Sequence, residues 1–225
     1  IISENRATKS IYPIPDAAYV LLGCAAPTGM GAVINVLKGK KGHSIAILGA
    51  GGIGICSILM AKEIGMYPII SVDVSDDRLA LAQAAGADVI INPRNEKVSD
   101  AIRKEEKDGV DFCVEATGNK AVIENLMQCL KSRTGKAVIV SNVSHGEGVK
   151  IFPADFNEGK SLLGTWGGDS DPDRDMGLFF EIIQKHKQFT DKLCPTMFAL
   201  EQVNDALDAM RKKTVGRAVL NLSNQ

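Results

Sequence analysis

Apolar residues fall into short solid runs, separated by longer segments that mix apolar and polar positions. Ile45–Leu48 reads IAIL; Ile69–Val72 and residues 88–91, 110–115, 136–140 and 162–166 are short segments rich in apolar residues that read as further strands. Continuous apolar runs of this length, bounded by turns, suit parallel strands buried on both faces. The segments between them read as helices. Residues 53–64 are a helical run closed by Gly65. Ser75 caps a helix with Asp76 and Asp77 in its first turn, Leu79, Ala82 and Ala85 on its buried face, and Gly86 as its stop. Residues 95–107 predict a charged, exposed helix, and a further helix runs from about 120 to 130.

At the start, residues 1–14 are strand-like and polar before Pro13 and Pro15 force an extended turn. Asp16 then caps a short apolar helix over 17–22, and Pro27 and Thr28 suit the first turn of a helix reaching about Leu37. Beyond the sixth strand, helices are expected over Pro172–Lys185 and about 200–210, followed by a short strand over 218–222. That strand comes too late to join the main sheet, and both chain ends read as built for a partner outside the chain. Strands alternating with helices predict an α/β, doubly wound six-stranded parallel sheet with strand order 3-2-1-4-5-6. Its ligand crevice lies between strands one and four.

The first turn of that sheet carries Gly49-x-Gly51-x-x-Gly54. Gly49 permits the tight turn, Gly51 lets a pyrophosphate approach the backbone, and Gly54 lets the helix pack on the strand. The helix start adds unpaired N–H groups and the positive end of its dipole. Asp73, at the end of the second strand and 19 residues after Gly54, suits an adenosine ribose and would repel a 2′-phosphate. This favours NAD over NADP. The same crevice geometry also serves S-adenosylmethionine and FAD. Loops after the other strands, 116–119 and from Ser141 onward, face the same crevice.

Composition narrows the class. The chain has 225 residues, 45% of them apolar, enough for one sizeable core. With 26 basic and 27 acidic side chains the formal charge is -1, so nothing points to nucleic acid or a membrane surface. A cytoplasmic protein is the expectation. The five cysteines, Cys24, Cys56, Cys113, Cys129 and Cys194, show no paired spacing and no CxxC, which argues against a disulfide framework or a cysteine-rich zinc knot. Cys24 lies just ahead of a helix start, where a thiolate is stabilised, although a cysteine in an apolar segment also fits plain packing. The acidic run 169–175 lacks the spacing of a calcium loop and reads as a solvated turn and helix cap.

Three stretches together, GCAAPTGMGA, LGAGGIGICSILMAKEIG and VDVSDDRLALAQAAGAD, with the late Gly216-Arg217, resemble the zinc-dependent medium-chain alcohol dehydrogenases. The resemblance implies a division of the chain. Residues 1–22 would be the tail of a GroES-like catalytic domain with a connecting helix, 23–175 the NAD-binding Rossmann domain, and 176–225 the helices and strand returning to the catalytic domain. It implies cofactor-binding roles for Thr28 beside the nicotinamide, Gly49, Gly51, Gly52, Ile53 and Gly54 at the pyrophosphate, and Asp73 and Arg78 at the adenosine. It extends them to Ala116 and Thr117 at adenine and ribose, Val140, Ser141, Gly164, Thr165 and Trp166 at the nicotinamide side, and Arg217 at the pyrophosphate. Cys24 would be one ligand of a catalytic zinc. The remaining ligands and the proton relay would belong to a catalytic domain that this chain lacks, so no catalytic residue is assigned. The implied reaction is hydride transfer between an alcohol or aldehyde and NAD, weak or absent in this chain alone. A homodimer through the edge of the sixth strand is also implied. The alternatives are a non-catalytic NAD(H)-binding or sensing module and a zinc-free quinone or enone reductase relative.

Overall fold

The computed structural model describes residues 17–194, 196–212 and 217–221. Asp16 and the N-terminal stretch ahead of it lie outside the described residues, as does Gly216.

The main sheet contains β1 (Ile45–Leu48), β2 (Ile69–Val72), β3 (Val89–Ile91), β4 (Phe112–Glu115), β5 (Lys136–Ile139) and β6 (Ser161–Gly164). All neighbours are parallel, in the order β3-β2-β1-β4-β5-β6. The central strand β1 places Ile45 opposite both Ile69 and Phe112. Alternation along each strand divides the core in two. Ile45, Ile47, Ile69 and Val114 face one layer with Met30, Ile55 and Phe179, whereas Ala46, Leu48, Ile70 and Cys113 face the other with Ile102, Ile123 and Leu126. Burying each such Ile or Leu contributes roughly 1.5–3 kcal/mol.

Helices pack on both faces of this sheet and, for α9, on a separate small strand pair: α1 (Ala25–Gly31), α2 (Gly52–Glu63), α3 (Asp76–Ala85), α4 (Val98–Glu105), α5 (Lys120–Asn125), α6 (Pro153–Asn157), α7 (Pro172–Lys185), α8 (Lys187–Leu193) and α9 (Val203–Arg211). The helix α2 is buried from Gly54 to Ala61 all round its circumference, because α1 covers the side turned away from the sheet. That explains its uniformly apolar sequence. The two helices touch at the backbone: a Cβ on Gly29 would lie 2.3 Å from the Ile53 carbonyl. Ser57 Oγ donates to both the Gly29 and Ile53 carbonyls, at 3.1 and 3.0 Å. As expected, Ser75 caps α3 and Gly86 ends it at φ +122°.

Several expectations change. The helix expected from Pro27 begins at Ala25, and its second half, Ala32–Val36, widens into a π-helical turn. The charged helix expected over 95–107 shortens to Val98–Glu105. The irregular segment after Ser141 contains α6, with Pro153 in its first turn. The late strand β8 (Ala218–Asn221) does have a partner in the chain: it pairs in parallel with β7 (Thr196–Ala199), joined through α9. A single short strand with a masking helix between gave no local sign of that pairing.

Candidate functional site

The crevice lies at the carboxyl ends of β1 and β4, where the strand order reverses. Gly49 leaves β1 at φ +100°, and its N–H donates to the Val72 carbonyl at 2.7 Å. At that φ a side chain would be strained, and a Cβ would also lie 3.0 Å from the Ala116 carbonyl. Gly51 is different. Its φ of -78° is ordinary and a Cβ there would meet nothing within 4 Å, so the fold does not require glycine at this position. Gly54 is required by packing, since a Cβ would fall 1.8 Å from the Gly49 carbonyl oxygen. These three positions make a turn whose open side faces the crevice at the start of α2.

Asp73 closes the far side. It is 8% exposed. Its Oδ2 accepts the Ala50 N–H at 2.8 Å and its Oδ1 accepts the Ser75 N–H at 2.9 Å. Arg78 Nη1 stands 3.9 Å from the same carboxylate. Gly49, Gly51, Asp73, Arg78, Ala116 and Thr117 together line a cavity of about 570 Å³. That volume suits a nucleoside-sized group.

The other expected residues are placed as follows. Arg217 reaches the glycine turn, with Nη2 3.8 Å from where a Cβ on Gly52 would be, and Ala25 approaches the same point from α1. Thr28 lies on α1, and its N–H donates to the Cys24 carbonyl at 3.0 Å. Ile53 is in the first turn of α2, half-buried. Val140 and Ser141 follow β5, and Gly164 ends β6. Thr165 Oγ1 donates to Asp169 at 2.7 Å, while Trp166 is 91% exposed. Thr28, Val140, Ser141 and residues 164–166 are outside the cavity lining and lie on other parts of the same sheet edge and on α1.

Cys24 is exposed at the position preceding α1. Among the described residues, no three His, Cys, Asp or Glu side chains converge closely enough to hold a metal ion. A catalytic zinc takes three protein ligands, so the described residues do not by themselves fit one. The other four cysteines are buried and free. Burial pushes the thiols of Cys56 and Cys129 up to about 12, and that of Cys113 well above its usual value. Cys194 is also raised, by burial against the opposing charge of Arg217. The acidic run resolves into a cap: Asp171 accepts the Asp173 N–H at 2.9 Å. Asp175 is buried instead, held by Arg174, Asn35 and the Asp171 N–H.

Two groups of site residues were not expected. Pro93, Lys97, Val98 and Ser99 line the cavity from the β3–α4 side, with Leu126 and Cys129 beyond the expected 116–119 loop. Nothing local marked them, because α4 reads as an exposed charged helix. The second is Glu115, fully buried at the end of β4 and ringed by hydrogen-bond donors. An acid closing an otherwise apolar strand was the available signal.

A six-stranded parallel sheet in the order β3-β2-β1-β4-β5-β6, with a glycine turn after β1 and an acid after β2, defines a fold of the Rossmann class. The zinc-binding dehydrogenase family model matches residues 52–183, and the chain belongs to that family. It is 32% identical over 203 residues to rabbit (Oryctolagus cuniculus) alcohol dehydrogenase class-2 isozyme 2, covering 89% of this chain and 53% of that protein. It is 31% identical over 213 residues to pea (Pisum sativum) alcohol dehydrogenase 1, covering 92% and 56%. Among solved structures, benzyl alcohol dehydrogenase from Acinetobacter calcoaceticus superposes with a TM-score of 0.87 at 29% identity, covering 96% of this chain and 59% of that one. The chain therefore spans about half the length of the curated relatives it matches. No described helix is long and apolar enough to cross a membrane.

Proposed function

We propose that this chain binds NAD in the β1–β4 crevice and forms the cofactor half of a zinc-dependent alcohol dehydrogenase. The observation that carries this is the joint placement of Gly49, Gly51, Asp73 and Thr117 around one cavity at the head of α2. In this reading adenosine fills the cavity, with its ribose on Asp73 and Arg78 and its base between the loops after β2 and β4. The pyrophosphate lies over Gly51, Gly52, Ile53 and Gly54, where Arg217 meets its charge and the α2 N-terminus supplies N–H donors. Thr28, Val140, Ser141, Gly164, Thr165 and Trp166 hold the nicotinamide end.

Bound NAD would supply the hydride acceptor for an alcohol, or in the reverse direction the donor for an aldehyde. The chain's own residues bind and orient it: Asp73 excludes a 2′-phosphate, and α1 sets Thr28 and Cys24 beside the nicotinamide. Cys24 is the single candidate zinc ligand among the described residues. Turnover by this chain alone is therefore expected to be weak or absent. Two copies would pair through the open edge of β6, covering Trp166. A cytoplasmic setting agrees with five free cysteines.

The test is a calorimetric NAD titration of the pure chain, followed by an assay for alcohol-dependent NADH formation. Micromolar-class binding without turnover is the expected result. Failure to bind NAD overturns the cofactor reading, and substantial turnover overturns the inactivity.

A further inference from the structure

Glu115 is 0% exposed, and every hydrogen bond the structure gives its carboxylate comes from two loops of the crevice. Oε1 accepts the Thr117 N–H at 2.7 Å, the Gly118 N–H at 3.2 Å and the Thr117 hydroxyl. Oε2 accepts the Ser141 hydroxyl. The carboxylate thus joins the loop after β4 to the loop after β5. Four donors converge on it, as suits a group with only lone pairs to offer.

The consequence falls on the two hydroxyls. Each has one proton and two lone pairs. Thr117 Oγ1 spends its proton on Glu115 and one lone pair on the Asn119 N–H at 3.0 Å. Ser141 Oγ spends its proton on Glu115 and one lone pair on the Gly118 N–H at 2.8 Å. Each keeps a single lone pair and no proton for anything arriving from the crevice.

We propose that Glu115 is a positioning residue that makes Thr117 and Ser141 acceptors only, so that this part of the crevice selects ligand groups that donate, such as sugar hydroxyls. The inference rests on the NAD reading above and deepens it. It assigns hydrogen-donating ribose hydroxyls to Ser141 and Thr117, and turns away phosphate, carboxylate or carbonyl oxygen from them. Such a mismatch between fixed polar partners is more discriminating than a loss of apolar contact.

Glu115→Gln tests this with little change of volume. Oε1 of the glutamine can keep its three donors, which turns Nε2 toward Ser141. Ser141 then accepts from Nε2 and Gly118, and its proton is released toward the crevice. NAD is compared with an analogue whose nicotinamide-side ribose hydroxyls are replaced by fluorine, which keeps lone pairs and removes the protons. The native chain is expected to bind the analogue at least fivefold more weakly than NAD. The E115Q chain is expected to bind the two within about twofold. An equal deficit in both chains, or none in the native chain, overturns the proposal. A native chain that binds neither NAD nor ADP-ribose overturns the NAD reading itself, and the proposal with it. Should E115Q fail to melt cooperatively, the double change Ser141→Ala with Thr117→Val takes its place: the native deficit must disappear, and its persistence overturns the proposal.

Discussion

The Asp73 carboxylate accepts the Ala50 N–H at 2.8 Å, so the end of β2 holds the glycine turn that follows β1. One buried side chain both braces the turn and lines the cavity. Removing it has two separable effects. Asp73→Ala leaves the Ala50 N–H unpaired, which costs about 1–3 kcal/mol. It also removes the charge set against a 2′-phosphate. Thermal melts should fall by several degrees, and titrations should show the preference for NAD over NADP narrowing at least tenfold.

The glycines of the turn should separate fold from ligand. Gly51→Ala meets open space at an ordinary φ, so its melting temperature is expected to stay close to that of the native chain. NAD affinity should nonetheless drop at least tenfold, because the methyl occupies the path of the pyrophosphate. Gly54→Ala should do the opposite: its Cβ would collide with the Gly49 carbonyl, and the protein is expected to lose cooperative melting. Equal behaviour of the two variants would contradict this assignment.

Ser71 Oγ is buried in β2 with no hydrogen-bond partner among the described residues. A buried hydroxyl without a partner is destabilising. Ser71→Ala is expected to raise stability by about 1 kcal/mol in urea titrations, with no change in NAD binding.

Acid should act on Asp175. The Arg174 hydrogen bond, with the Asp171 N–H and Asn35, outweighs burial and holds its carboxyl below the usual carboxylate range. Its stabilising contribution is therefore complete above the unfolded value of about 3.9 and fades as pH falls through the lower folded value. Asp175→Asn should melt below the native chain at pH 7, and the gap should narrow as the pH falls below about 3.9. A constant gap across that range would count against this role.

Thiol chemistry should report burial. Cys56, Cys113, Cys129 and Cys194 are buried with raised thiols, and Cys24 is exposed. A native titration with an aromatic disulfide should show one fast thiol, lost in Cys24→Ser, and five after denaturation.

Much of this arrangement was legible in the chain itself. Short, mainly apolar runs located β1 and β2 to the residue, because a strand buried on both faces favours apolar side chains throughout. Ser75 and Gly86 marked helix ends through their own side chains or backbone freedom, and the acidic run 169–175 marked a cap that the structure assigns to Asp171. Gly49, Gly51 and Asp73 were readable because their spacing within one βαβ unit is a local property.

What remained for tertiary structure concerns residues distant in sequence. The pairing of β7 with β8 depends on how α9 folds back, and neither short strand announces a partner. Lys97, Ser99 and Cys129 reach the cavity only because the parallel crossovers pack α4 against the 3₁₀ turn Leu126–Cys129 that follows α5. Glu115 reads in sequence as a polar residue closing a strand. Only the approach of Ser141, 26 residues later, makes it the point where two loops share one set of hydrogen bonds. Local periodicity and turn chemistry determined the elements and the glycine turn. Long-range packing decided which side chains face one another across the crevice, since such contacts leave no periodic trace in the chain.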